Sequence, residues 1–164
     1  MDPISTKISV TIGAPREWFF YWFTSINLSR VMHQHVIIPG VVRIRDQTGP
    51  MHVPGSRRVL ELSDGSTATE EVMSCDPPNE VKYRLCKLTN FFRYLVSEAQ
   101  GEIKFTETGN KGTTVVWGYS FFGRGVFANL LLKILVPVLW KGFMQSTLNK
   151  SKQLAESEAL TSSS

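Results

Sequence analysis

Residues 56–78 read SRRVLELSDGSTATEEVMSCDPP, two runs of strand-forming residues on either side of Asp64-Gly65. Asp-Gly readily adopts the positive backbone angles of a tight hairpin turn, so 56–62 and 67–74 are predicted to pair antiparallel. Pro54-Gly55 opens the first run and Asp76-Pro77-Pro78 closes the second, since proline removes a ladder donor and glycine loosens the backbone. The same punctuation recurs outward from this hairpin. Residues 41–46 precede it after Pro39-Gly40, and 80–88, 92–106 and 113–122 follow it, the last two separated by Thr108-Gly109-Asn110-Lys111-Gly112. Consecutive strands on short connections imply an antiparallel meander.

Upstream, residues 5–12 alternate, with Ile8, Val10 and Ile12 on one side and Lys7, Ser9 and Thr11 on the other, the pattern of a half-buried strand. This adds a seventh strand. Gly13-Ala14-Pro15 ends it, and Pro15 suits the first position of a helix predicted over 16–23, which carries Trp18, Phe19, Phe20, Trp22 and Phe23. A second short helix is expected over 27–35. Downstream, 126–140 is dominated by apolar residues, but the run is too short for a membrane span and Lys133 falls in its middle. Pro137 is expected to kink the helix or mark its proper start. Beyond it Leu139, Phe143, Met144, Leu148, Leu154 and Ala155 share one helical face, opposite Lys141, Gln145, Asn149, Lys152 and Glu156. The expected fold class is α+β: a curved seven-stranded antiparallel sheet around a long C-terminal helix, with two short helices after the first strand. One domain is expected over 1–160, with a disordered tail at 161–164.

Composition narrows the function classes. A net charge of +4 is spread along the chain, with no run denser than Arg57-Arg58, so nucleic acid is not an expected partner. Cys75 and Cys86 sit on neighbouring predicted strands around a turn, where a disulfide is conceivable; free thiols in a reducing cytoplasm are the expected state. Met1 to Ser5 lacks the basic and apolar regions of a signal peptide, which gives a cytoplasmic expectation. His33 and His35 point in different directions on a helix and His52 stands alone, so no metal is expected. There is no phosphate-binding loop, dinucleotide fingerprint or nucleophile elbow, hence no expected cofactor.

The order strand, two short helices, six strands, long helix resembles the START-like and Bet v 1-like (SRPBCC) superfamily, and within it the polyketide cyclase/dehydrase and lipid-transport group. Ile8-Ser9-Val10-Thr11-Ile12-Gly13-Ala14-Pro15-Arg16-Glu17-Trp18 carries the resemblance first, a strand running into Ala-Pro and an aromatic helix. Pro39-Gly40-Val41, Gly55-Ser56-Arg57-Arg58-Val59, Asp64-Gly65 with Glu70 and Val72, and Asp76-Pro77-Pro78 with Tyr83 continue it. Gly112-Thr113-Thr114-Val115-Val116-Trp117 with Tyr119 and Phe121 complete it. The resemblance implies a helix-grip fold that binds an apolar small molecule such as a lipid, polyketide or isoprenoid. It equally leaves open a cofactor-free cyclase or dehydratase, since the matching residues are turns, strands and packing positions rather than a catalytic signature.

In a sheet curled around a helix, alternate residues face the cavity. Val115, Trp117, Tyr119 and Phe121 share one face of the last strand, Tyr94, Val96 and Glu98 one face of the strand before it, and Val81, Tyr83 and Leu85 one face of the next. Arg57, Val59 and Glu61 share another face. Trp22, Tyr83, Tyr94 and Trp117 are therefore expected ligand-binding side chains. Tyr119, Phe121, Leu139 and Phe143 complete that set. If the protein is an enzyme, Tyr83, Tyr94, Glu61 and Arg57 are the candidate catalytic groups, the phenols and guanidinium polarising a ketone and the carboxylate abstracting a proton. Glu70 and Glu71 are adjacent and cannot both face inward; exposed cross-strand pairing is the expectation for them. The apolar 126–140 segment allows weak contact with a membrane surface. The oligomeric expectation is a monomer or homodimer.

Overall fold

In the computed structural model, which describes residues 2–162, the chain begins with β1 (Ile4–Ile12), runs into α1 (Arg16–Ser25) and a single 3-10 turn at Leu28–Arg30, and then lays down six strands. These are β2 (Val41–Arg45), β3 (Arg57–Leu62), β4 (Thr67–Asp76), β5 (Glu80–Cys86), β6 (Val96–Thr108) and β7 (Gly112–Gly123). The strand order is β1-β7-β6-β5-β4-β3-β2, every pairing antiparallel. The chain ends in one continuous helical rod: α2 (Val126–Leu135), a π-turn at Val136–Trp140, and α3 (Lys141–Ser162).

The core lies between the inner face of the sheet and this rod. On β7, Val115, Trp117, Tyr119 and Phe121 all point inward, as the alternation predicts; on β5, Val81, Tyr83 and Leu85 do so. Phe143, Met144, Leu148 and Ala155 present the buried face of α3. Phe19 and Phe20 of α1 close one end by packing on Phe105 of β6, with ring centroids 5.9 and 5.1 Å apart.

Four local expectations need correction. The helix expected over 27–35 reduces to one turn, capped by Asn27, whose side chain accepts from the Ser29 N–H; His35 instead exchanges backbone bonds with Ile38 in a tight loop. Pro137 does not start the rod, which is already helical from Val126. The missing N–H is absorbed by a wider π-turn, in which the Lys141 N–H reaches back to the Val136 carbonyl. Phe92 and Tyr94 are not in a strand: the Asn90 side chain accepts from the Phe92 N–H and holds 91–94 in a 3-10 turn. Finally, Thr161 and Ser162 continue α3 rather than joining a disordered tail, while Ser163 and Ser164 lie outside the described residues.

Cys75 pairs across the ladder with Val81, and Cys86 with Thr69. Five residues of β5 therefore separate Cys86 from the position opposite Cys75, about 17 Å at 3.3 Å per residue, and no disulfide can span that gap.

The end of α3 is tied down by charge. Glu156 accepts from the Gly13 N–H at 2.8 Å and from Lys152 at 2.6 Å; Glu158 meets Arg30 at 2.6 Å and the Trp22 indole N–H. The Trp22 and Arg30 hydrogen bonds hold the Glu158 carboxyl below its ordinary range. A carboxylate lowered in the folded state stabilises the fold above the unfolded value and loses that contribution as pH falls through the folded one. Below about pH 4, wild-type stability is expected to fall more steeply than that of Glu158→Gln, the two curves converging in acid. Urea midpoints against pH check this; parallel curves would remove the linkage.

Candidate functional site: an apolar cavity with a buried ion pair

Between the sheet and the rod lies an apolar cavity of about 60 Å³. Leu60, Ala68, Leu85, Ala99 and Phe121 contribute from the strands, Trp140 and Phe143 from the rod, and Ile38 and Phe92 from the loops. Its polar groups are few: Glu70, Asn90 and Tyr119. A neighbouring cavity of about 40 Å³ is lined by Phe23, Arg58, Tyr83 and Trp117, and both Met32 and Glu70 line the two cavities together. Glu70 thus stands on the partition between two lobes of one interior.

Glu70 does not stand alone. Arg58 and Glu70 face each other across β3 and β4 with Nη2 to Oε1 at 2.9 Å, and they are only 6% and 7% exposed. Next to them runs a phenol relay. The Trp117 indole N–H donates to the Tyr83 hydroxyl at 2.8 Å, and that hydroxyl in turn interacts with the Tyr119 hydroxyl. Burial first, and then the negative charge of Glu70, pushes the Tyr119 phenol well above its ordinary value; burial does the same to Tyr83. Both remain neutral at physiological pH, so Tyr119 is a hydrogen-bond donor at the cavity wall and not a base. The Trp140 indole N–H and Arg58 Nε are buried without a hydrogen-bond partner among the described residues. A buried donor that meets no protein acceptor is a place where a ligand oxygen gains a bond at no competing cost.

Each expected site residue can now be placed. Tyr119, Phe121 and Phe143 line the larger cavity; Tyr83 and Trp117 line the smaller. Trp22 is half-buried at the seam of α1 and α3, stacked against Trp18 with centroids 6.1 Å apart, away from both cavities. Leu139 is half-buried on the core's margin and lines neither. Tyr94 is 62% exposed, with the Arg93 guanidinium 4.6 Å above its ring. Arg57 and Glu61 face outward, Glu61 pairing with Arg45 at 2.9 Å and Arg43 at 3.3 Å. The inward set on β3 is the other one, Arg58 and Leu60. A bulge between Val96 and Glu98 likewise turns Glu98 outward and brings Ala99, Gly101, Ile103 and Phe105 inward.

The residues that sequence reasoning missed are Arg58, Glu70 as an inward group, and Trp140. The signal existed for the first two. Arg58 is two positions before Leu60, and Glu70 lies between Ala68 and Val72, so assigning the apolar residues inward carries both charges with them. Glu71, its neighbour, takes the exposed role, 2.9 Å from Arg84.

A larger groove of about 750 Å³ lies on the opposite face of the sheet, over Lys7, Lys82, Glu102, Lys104 and Gly118. It is open to solvent, and its charged lining is three lysines and Glu102, with Lys104 paired to Glu102 at 3.1 Å and Lys82 to Glu80 at 3.2 Å. A molecule bound there would keep one side in water, so the apolar interior between sheet and rod is the candidate site.

Comparison with known proteins agrees with this architecture. The family model described as polyketide cyclase / dehydrase and lipid transport matches residues 4–156. Among curated proteins no match is found. Solved structures with the same fold include a protein from Mesorhizobium loti (TM-score 0.67, 14% identity, 93% of this chain and 97% of that one). Norcoclaurine synthase from Thalictrum flavum, in complex with dopamine and hydroxybenzaldehyde, gives a TM-score of 0.63 at 11% identity, covering 94% of this chain and 88% of that one. Ara h 8.0201 gives 0.58 at 14%, covering 91% and 97%. At such identities the structural matches speak to fold alone. The match across residues 4–156 places the chain in the polyketide cyclase / dehydrase and lipid transport family.

Proposed function

We propose that this member of the polyketide cyclase / dehydrase and lipid transport family binds a hydrophobic small molecule between its sheet and its C-terminal rod. The observation that carries the reading is the composition of the cavity wall: almost wholly aliphatic and aromatic, with Glu70, Asn90 and Tyr119 as its few polar residues. That composition suits a ligand with an apolar body and a polar end, the body against Leu85, Ala99 and Phe121 and an oxygen toward the Tyr119 hydroxyl or the Trp140 N–H. The present volume is far below the several hundred Å³ of a pocket for a drug-sized ligand. A lipid- or polyketide-sized guest therefore enters by displacing the side chains at the Phe92 and Trp140 lip. A cytoplasmic setting is consistent with two cysteines held too far apart to join.

The test uses a dansyl-labelled fatty acid as the probe, read by energy transfer from the tryptophans. Saturable binding is expected in wild type. Ala99→Leu adds about three methylene volumes to the cavity wall and is expected to weaken binding at least about tenfold, while overpacking costs stability about 1–3 kcal/mol. Equal binding by both proteins would sink the reading.

One observation favours a second reading, a cofactor-free cyclase or dehydratase. Tyr119, a neutral donor, and Glu70, a carboxylate, line the same cavity, so a carbonyl held by the first lies near an acceptor for a neighbouring proton. Tyr83 joins that pair through the relay. Tyr94, Glu61 and Arg57 lie outside the cavity, which moves the catalytic assignment from them to Tyr119 and Glu70.

A further inference from the structure

The cavity's lip has a second face. Its three walls are the 35–39 loop, the 91–94 turn and the π-turn of the rod, which send Ile38, Phe92 and Trp140 inward. The same three segments send large apolar side chains out into solvent: Val36 and Ile37, Phe91 and Tyr94, and Val138. On α2 the pattern continues. Val126 and Phe127 are 77% and 84% exposed, and Leu130, Leu131 and Ile134 are exposed beside them. At roughly 100° per residue these five fall within an arc of about 140°, opposite the buried Ala128, Asn129 and Leu132. The pieces are neighbours: Arg124, just before α2, donates to the carbonyls of Arg93 and Val96 at 2.7 and 3.1 Å, and the His35 ring lies against Gly142 at the start of α3. In the most apolar 18-residue window of the rod, only 28% is buried.

Charge decides what covers this surface. From Thr108 to Ala155 the sequence has no aspartate or glutamate, while Arg124, Lys133 and Lys141 fall within it, and Arg93 stands on the adjoining turn. All four cations are exposed. A second copy of the chain packed here about a two-fold axis would set these cations against themselves with no carboxylate to answer them. Anionic lipid headgroups answer them directly, while the apolar arc sinks to the acyl boundary.

We propose that the α2 face, with the 36–37 loop and the 91–94 turn, seats the protein on an anionic lipid surface, with the mouth of the cavity against the bilayer. The inference rests on the cavity reading above and adds where the guest is exchanged. An apolar molecule passing between the membrane and the cavity would then avoid crossing water.

The experiment is co-sedimentation with vesicles of phosphatidylcholine containing about one-third phosphatidylglycerol, beside vesicles of phosphatidylcholine alone, with dansyl-fatty-acid binding in solution as the parallel readout. Wild type is expected to sediment with the anionic vesicles, less with the neutral ones, and less at high salt. Phe127→Asp is expected to lower the partition constant about tenfold or more, and Lys133→Glu to weaken it, both with unchanged thermal midpoints and unchanged probe binding in solution. Ala99→Leu, which blocks the cavity, is expected to keep vesicle binding. Absence of vesicle binding by wild type, or Phe127→Asp binding like wild type, overturns the proposal and leaves the cavity reading standing. So does a dimer in sedimentation equilibrium that Phe127→Asp dissociates, since the face then belongs to a second copy. Loss of probe binding by Ala99→Leu has no bearing on the surface and tests only the cavity.

Discussion

Replacing Arg58 with Met is expected to cost the fold about 3–5 kcal/mol. The guanidinium is the hydrogen-bonded counter-charge of Glu70 at 2.9 Å, and both groups are removed from water. Deleting one partner leaves the other as an uncompensated charge facing aliphatic walls, and the interior offers no bulk water to replace the lost bond. Arg58→Met combined with Glu70→Leu is expected to recover most of that loss, because removing both charges also removes both desolvation penalties. Urea denaturation of the two single variants and the double variant checks the pair. Singles that lose as little as an exposed bridge, under about 1 kcal/mol, would mean that water reaches the partition. If the double variant is stable but binds the probe less tightly, the ion pair is kept for its place on the cavity wall rather than for stability.

The second large effect is expected at Trp117. Its side chain is fully buried, faces Ile8 on β1 and Ile103 on β6 across the ladder, and supplies the first donor of the Tyr83–Tyr119 relay. Trp117→Ala leaves a cavity and is expected to destabilise by about 3–5 kcal/mol. It also releases the Tyr83 hydroxyl from the indole N–H. Trp117→Phe keeps a ring in the site but loses the hydrogen bond and the smaller part of the volume, so it is expected to cost about 1–3 kcal/mol. A Phe variant as unstable as the Ala variant would show that the bond, not the volume, dominates. Tyr83 has little room to follow any shift, because its ring lies directly beneath Gly101, where a Cβ would overlap it.

How far the sequence foretold this molecule depends on the element. The meander was legible because Asp64-Gly65 and the 108–112 turn punctuate long alternating runs, and the inward face of β7 followed directly from Val115, Trp117, Tyr119 and Phe121. At two of the places where the expected inward face fails, alternation itself breaks. A bulge after Val96 turns Glu98 outward, and the Asn90 cap withdraws Phe92 and Tyr94 from the strand. Neither event leaves a periodic trace in one sequence. Arg58 and Glu70 were hidden for another reason. Charged residues on a strand are normally solvated, and only their mutual contact across β3 and β4 makes inward placement tolerable. That contact depends on pairing register, which is a tertiary fact. Trp140 reaches the cavity because a π-turn at Pro137 rotates the rod, a displacement that an α-helical wheel does not show.

The measurement that bears most directly on the central claim is amide and methyl NMR of the labelled protein titrated with the dansyl-labelled fatty acid. Saturable shifts are expected at Leu85, Val96, Ala99, Phe121 and Phe143, on the inner face of the sheet and the facing side of the rod. Shifts confined to Lys7, Lys82, Glu102 and Gly118 on the outer groove, or no saturable shifts at all, would contradict it.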